Sequence, residues 1–219
     1  LLNRISRIPF GKPANTTAVV VVIVGAIAIY LNTQIKIGNP VEGSNLLWHD
    51  SEFNTAVRAI NAHFPGTNTL EIVLEAKERD IDHRVTNTPG VVKTATELQR
   101  LMESDPDLPP RATLTYSDYM REVNRLFSGG NPKWLPLDLT PEAISAAGFA
   151  VLLGSNAINF GHVADFEFQD STVSLWFKDN KQETVDAALS AAKRAVDAVG
   201  LDHPEFTVRL GTGVIALQQ

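Results

Sequence analysis

The stretch Thr69-Leu70-Glu71-Ile72-Val73-Leu74-Glu75-Ala76-Lys77 places Leu70, Ile72, Leu74 and Ala76 on one side and Thr69, Glu71, Glu75 and Lys77 largely on the other. A strand turns successive side chains to opposite faces, so this alternation predicts a half-buried strand over residues 69–77. Downstream, a polar loop at 78–88 runs into Thr88-Pro89. These open a helix with Val91, Ala95, Leu98 and Met102 on one side, which Asp105-Pro106 ends. Residues 111–116 read as a second short strand. Upstream, Asp50 or Ser51 caps a helix in which Phe53, Val57, Ile60 and Phe64 recur at helical spacing until Pro65-Gly66 stops it.

The same order returns near the end of the chain. Residues 171–178 form a strand with Val173, Leu175 and Phe177 on one face. A helix bearing Val185, Ala188, Leu189, Ala192, Val196 and Val199 follows, then a last strand through Phe206, Val208 and Leu210. Two strand-helix-strand units of this kind match a split βαβ, ferredoxin-like sheet with its helices on one face, an α+β architecture. Between the units lies a helical insertion over 117–169. It holds a helix at 117–127, a loop at Ser128-Gly129-Gly130-Asn131-Pro132, and a helix opened by Thr140-Pro141-Glu142, where Thr caps and Pro fills the first turn.

Ahead of this body the composition changes. Residues 13–35 are 23 residues without a charge, centred on the apolar run at 18–31. At about 1.5 Å per residue this stretch is long enough to span a hydrocarbon core of about 30 Å. We expect a cytoplasmic flank at 1–13, a transmembrane helix at 14–35, a turn-rich linker at 36–50 and an extracytoplasmic domain at 51–212. Two other readings fit the apolar run. One is a buried core element. The other is a cleaved signal peptide with Arg4, Arg7 and Lys12 as its basic region and Ala26-Ile27-Ala28 as its cleavage site; against it, the run continues unbroken through Ile29, Tyr30 and Leu31. Three cations precede the run and Lys36 alone follows it closely, which places the N-terminus in the cytoplasm.

The chain of 219 residues has a formal net charge of −6. Its first 41 residues contain four cations and no acid, so the rest carries −10. An acidic body without a Lys/Arg cluster argues against nucleic acid as a partner. The absence of cysteine excludes disulfides, thiolate catalysis and cysteine-held metal centres. Asp80, Asp82 and His83 could offer metal ligands, but they fall in a polar loop and read as a solvated turn. His49-Asp50 and Asp202-His203 flank helix ends and read as caps. His162 near Asp165 has no third partner in sequence reach. Neither a G-x-S-x-G elbow nor a phosphate-binding glycine loop occurs. We therefore expect no catalytic residues, no metal and no cofactor.

Just outside the apolar run, Ile37-Gly38-Asn39-Pro40-Val41-Glu42-Gly43-Ser44 is followed by Leu46-Leu47-Trp48 and Asp50. Phe64-Pro65-Gly66 precedes the first strand, and Trp176-Phe177-Lys178-Asp179 precedes Glu183-Thr184. Phe206 to Gly213 runs into Ile215-Ala216-Leu217-Gln218. In order and spacing these segments, which cover most of the chain, resemble the resistance-nodulation-division (RND) superfamily, specifically its MMPL-like predicted exporters. The resemblance implies a bacterial inner-membrane pump of two similar halves, each with a porter domain of βαβ units between its first and second membrane helices. By it, this chain supplies one such helix and one porter domain, with 213–219 starting the next membrane helix. The proton-carrying acids of the family sit in later membrane helices, outside this chain. The implied partners are the remaining membrane helices and second porter domain, the lipid bilayer, and a hydrophobic or amphiphilic substrate. A single-pass, membrane-anchored extracytoplasmic binding or sensor domain is the rival reading, and a secreted enzyme released after Ala28 is a third.

Three residues are candidates for substrate or interface contact. Trp176 alternates away from Val173, Leu175 and Phe177, which turns a large aromatic to the opposite face beside Ser174 and Lys178. Phe149 and Leu152 lie in the small and apolar stretch at 144–153. As a helix this is about 15 Å long and too short to cross a membrane. It reads either as a core helix buried against the sheet or as a lining for a lipid-like substrate or a second porter domain.

Overall fold

The computed structural model describes residues 12–34, 42–44, 46–211, 213 and 215. The chain divides into two compact units, Leu1–Gly38 and Asn39–Gln219. In the first, α1 (Lys12–Gln34) runs uninterrupted for 23 residues. Its segment Asn15–Thr33 is long and apolar enough to cross a membrane, and none of that segment is buried by protein. Valines and isoleucines lie exposed through its middle, from Val19 to Ile29. A helix apolar on every side fits a lipid surround better than a one-sided contact with a core. Arg4 and Arg7, on which the expected orientation rests, lie outside the described residues, as do residues 35–41.

The second unit is a mixed α+β domain. It comprises α2 (Glu52–His63), β1 (Asn68–Ala76), α3 (Pro89–Glu103), β2 (Ala112–Leu114), α4 (Tyr116–Phe127), α5 (Pro141–Gly154), the single turn α6 (Ala157–Phe160), β3 (Ser171–Phe177), α7 (Gln182–Val199) and β4 (Phe206–Leu210). The four strands form one sheet in the order β2-β3-β1-β4, with every neighbouring pair antiparallel. β1 and β2 therefore run in one direction with β3 between them, and β3 and β4 run in the other with β1 between them. A helix makes the crossover within each parallel pair, α3 from β1 to β2 and α7 from β3 to β4.

The alternation in β1 is realised residue by residue. Leu70 pairs with Leu175 and Ile72 with Val173, and all four are buried. They pack with Leu98 and Met102 of α3 and with Val185, Ala188 and Ala192 of α7. Full burial of each large side chain is worth about 1.5–3 kcal/mol. Gly66 ends the turn after α2 at φ +123°, and a Cβ there would lie 2.5 Å from the Phe177 carbonyl oxygen, so only glycine lets β1 enter beside β3.

Several expectations change in detail. The second strand is three residues rather than 111–116, because Thr115 caps α4 in a reciprocal pair with Asp118 and draws Tyr116 into the helix. The segment at 144–153 is a helix, but it does not lie on the sheet. Its buried residues Ile144, Ala147 and Val151 join a second core with Tyr116, Met120, Phe160 and Phe168, to which α3 contributes Val92. The helix-bearing face of the sheet is already filled by α3 and α7, so the insertion builds its own core beside them. Of the pair Asp202-His203 at the end of α7, Asp202 pairs with Lys77 at 2.6 Å, whereas His203 Nε2 stands 3.2 Å from the carbonyl oxygen of Gly200, the residue that ends the helix.

The domain also reaches beyond 51–212 at both ends. Asn54, fully buried, holds Ser44, Leu47 and Trp48 through its side chain, so this part of the expected linker belongs to the domain. Ile215 is fully buried in the main core, and its amide donates to the Thr69 carbonyl at 3.0 Å. Residues 212, 214 and 216–219, where the next membrane helix is expected to start, lie outside the described residues.

Candidate functional site

A polar seam joins α3 to α4. Gln99 Nε2 donates to Thr113 Oγ1 at 2.8 Å and to Asp118 Oδ2 at 3.1 Å. Asp118 Oδ2 also accepts from the Thr115 amide at 2.8 Å, which completes the α4 cap. One turn on, Arg121 Nη2 donates to Thr96 Oγ1 at 3.0 Å, and its Nη1 lies 3.4 Å from Asp118 Oδ1. These bonds set the separation of the two helices and hold the Arg121 guanidinium between them.

The third wall comes from residues 135–139, Leu-Pro-Leu-Asp-Leu. Asn124 of α4 donates to the Trp134 carbonyl at 2.6 Å and to the Pro136 carbonyl at 3.4 Å, pinning the loop backbone. Leu137 packs into the second core, whereas Leu135 and Leu139 stay 43% and 45% exposed. The three walls enclose a groove of about 510 Å³. Val92, Lys93, Thr96 and Glu97 of α3 line it, with Arg121 opposite and Leu135, Pro136, Leu137 and Leu139 along the side. Lys93 is exposed. Glu97 turns away toward Arg100, with Arg100 Nε at 2.9 Å and Nη2 at 2.5 Å from its two oxygens. That hydrogen bond, helped by the charges of Arg100 and Lys93, outweighs desolvation and keeps its carboxyl below the ordinary glutamate range.

A second cavity of about 580 Å³ lies between residues 82–89 and α5. His83, Arg84 and Glu205 line it on one side and Ser145 and Phe149 on the other. His83 Nε2 stands 2.8 Å from Glu205 Oε1, so the imidazole engages a glutamate far along the chain, while only the His83 amide meets Asp80, donating to its carbonyl at 3.1 Å. Asp80 Oδ1 accepts instead from the Asp82 amide. No group of three histidine or carboxylate side chains converges for a metal among the described residues.

The sequence candidates separate. Phe149 is 61% exposed at the second cavity. Leu152, three residues on, packs partly against the second core. Trp176 lies half-buried on the sheet face away from α3 and α7, between Thr69 and Ala112 in register, and lines neither cavity. Its neighbour Ser174 is 2% exposed beside Leu114, so that face is covered at one end. Sequence reasoning missed Lys93, Arg121 and the 135–139 wall. The available signal was a leucine-rich, proline-containing segment in a loop, where an apolar residue has no periodic partner.

The apolar stripe of α2 is left uncovered within the second unit. Phe53, Ile60 and Phe64 lie 54%, 40% and 65% exposed along one side of the helix, and Trp48 just before it is 85% exposed. Comparison with protein-family models, curated proteins and solved structures finds no match to this chain.

Proposed function

We propose that the chain contributes one membrane helix and one porter domain to a proton-driven RND-type exporter of hydrophobic or amphiphilic compounds, in a bacterial inner membrane. The observation that carries this reading is the succession of a helix apolar on all sides and a sheet of order β2-β3-β1-β4 built from two strand-helix-strand units. Sheet order and crossover helices support a ferredoxin-like, split βαβ assignment, the architecture that the resemblance implies for a porter domain. In this reading the cations before α1 keep the N-terminus cytoplasmic and the acidic domain stands outside. The domain binds and passes substrate without chemistry, and proton coupling resides in other helices. The exposed stripe of α2 and half-buried Trp176 are contact surfaces for the rest of the transporter, since uncovered aromatic patches favour interfaces.

The complete gene product in everted membrane vesicles should move a hydrophobic fluorescent dye when a proton gradient is imposed, and a protonophore should abolish the movement. Absence of gradient-dependent movement, with the protein verified in the vesicles, overturns the exporter reading. The groove is built wholly within one domain, which favours the second reading, a membrane-anchored binding or sensor domain. That reading expects ligand to bind the chain while no gradient-driven transport occurs.

A further inference from the structure

We propose that the groove between α3, α4 and residues 135–139 binds a single-chain amphiphile with an anionic head, of the long-chain carboxylate class. The head sits at Lys93 and Arg121 and the chain lies along Leu135 and Leu139. Its volume, about 510 Å³, falls within the range of sites that enclose small molecules.

The apolar half of the argument rests on the loop. Leu135 and Leu139 stay 43% and 45% exposed on a loop whose backbone Asn124 holds at the Trp134 and Pro136 carbonyls. A pair of large apolar side chains exposed in this way gains stabilisation when an apolar ligand covers it. Pro136 stiffens the same wall, which lowers the ordering cost of binding.

The charged half rests on an imbalance. The groove's lining carries two cations and one acid; the acid is engaged by Arg100 and Arg121 is shared with Asp118, which leaves an excess of one positive charge, on Lys93. Arg121 uses Nη1 and Nη2 toward Asp118 and Thr96, yet a guanidinium carries five N–H donors, so donors remain for a head group. Lys93 forms no ion pair among the described residues, although Glu97 feels its charge. A local positive excess on a body of charge −10 selects an anionic head over a cationic one. The second cavity lacks this bias, because acids and bases there are mixed and His83 is paired with Glu205.

The inference rests on the exporter reading for why such a ligand arrives, while binding itself needs only this chain. The test uses the full chain in lipid-free peptide discs, a diazirine-bearing palmitate as probe, and the matching long-chain diazirine alcohol as control. Adducts are mapped by mass spectrometry. We expect carboxylate adducts at residues 92–97 and 135–139, and Lys93→Glu to weaken carboxylate labelling there about tenfold while alcohol labelling stays constant. Lys93 is exposed, so this variant keeps the fold; Leu139→Asp, on the side wall, is expected to abolish labelling by the carboxylate as well. Equal labelling by the two probes, adducts confined to α1, or carboxylate labelling insensitive to both variants overturns the proposal. Failure of the exporter reading appears separately, as absent gradient-driven dye movement with groove labelling intact.

Discussion

Asn54→Ala tests whether the segment before α2 belongs to the domain. Asn54 is fully buried and makes four contacts. Its Oδ1 accepts from the Ser44 amide at 2.8 Å, and its Nδ2 donates to the carbonyls of Ser44 at 3.1 Å, Trp48 at 3.0 Å and Leu47 at 3.4 Å. Three of these have good length, and each contributes about 1 kcal/mol net. Leu46 to Trp48 are exposed, so water can take over the released backbone groups, which removes part of the penalty. The expected loss is therefore about 2–3 kcal/mol. Asn54→Asp should cost at least as much, because it keeps the acceptor, loses the donors and sets a carboxylate against three carbonyls. The assays are denaturant unfolding of the chain in micelles and amide hydrogen exchange. Exchange should accelerate first at the Ser44 amide. A loss below about 0.5 kcal/mol with unchanged protection at Ser44 would refute the reasoning.

Tyr116→Phe should stabilise the chain by about 1 kcal/mol: the ring is buried against Phe160 and Phe168, its hydroxyl has no hydrogen-bond partner among the described residues, and burial drives its ionisation far upward; a measurable loss of stability would contradict this. Burial pushes the Asp105 carboxyl up, but hydrogen bonds from Arg194 and from the Leu108 and Asp107 amides outweigh it and hold it below the usual range. Its contribution is complete above about pH 4 and disappears as pH falls through the lower folded value, so Arg194→Gln should flatten the acid limb of stability against pH, and an unaltered limb counts against the pair. Trp176→Ala should cost only about 1 kcal/mol in thermal unfolding, as its ring is half-covered, while impairing transport by the complete protein; a loss above about 3 kcal/mol would show a buried structural role instead.

What the residues determined by themselves is local and periodic. The alternation at Leu70, Ile72, Leu74 and Ala76 and the spacing of Val91, Ala95, Leu98 and Met102 each name an element and its inward side, because strand and helix geometry impose their periods on any chain that buries one face, and Thr140-Pro141 names where a helix starts. The uncharged run at 13–35 likewise announces a helix long enough to span a bilayer, since length and composition alone set that condition. The order in which strands meet, and what the insertion packs on, depend on contacts between residues far apart in sequence. Tertiary packing decided that α5 shares a core with Phe160 and Phe168 rather than the sheet, because α3 and α7 had already filled that face. It also decided that Ser44 and Ile215 belong to the domain, through one buried asparagine and one backbone hydrogen bond to β1. The groove was the least legible feature. Lys93, Arg121 and Leu139 carry no shared period, and only the seam between α3 and α4 together with the Asn124 anchor brings them around one space.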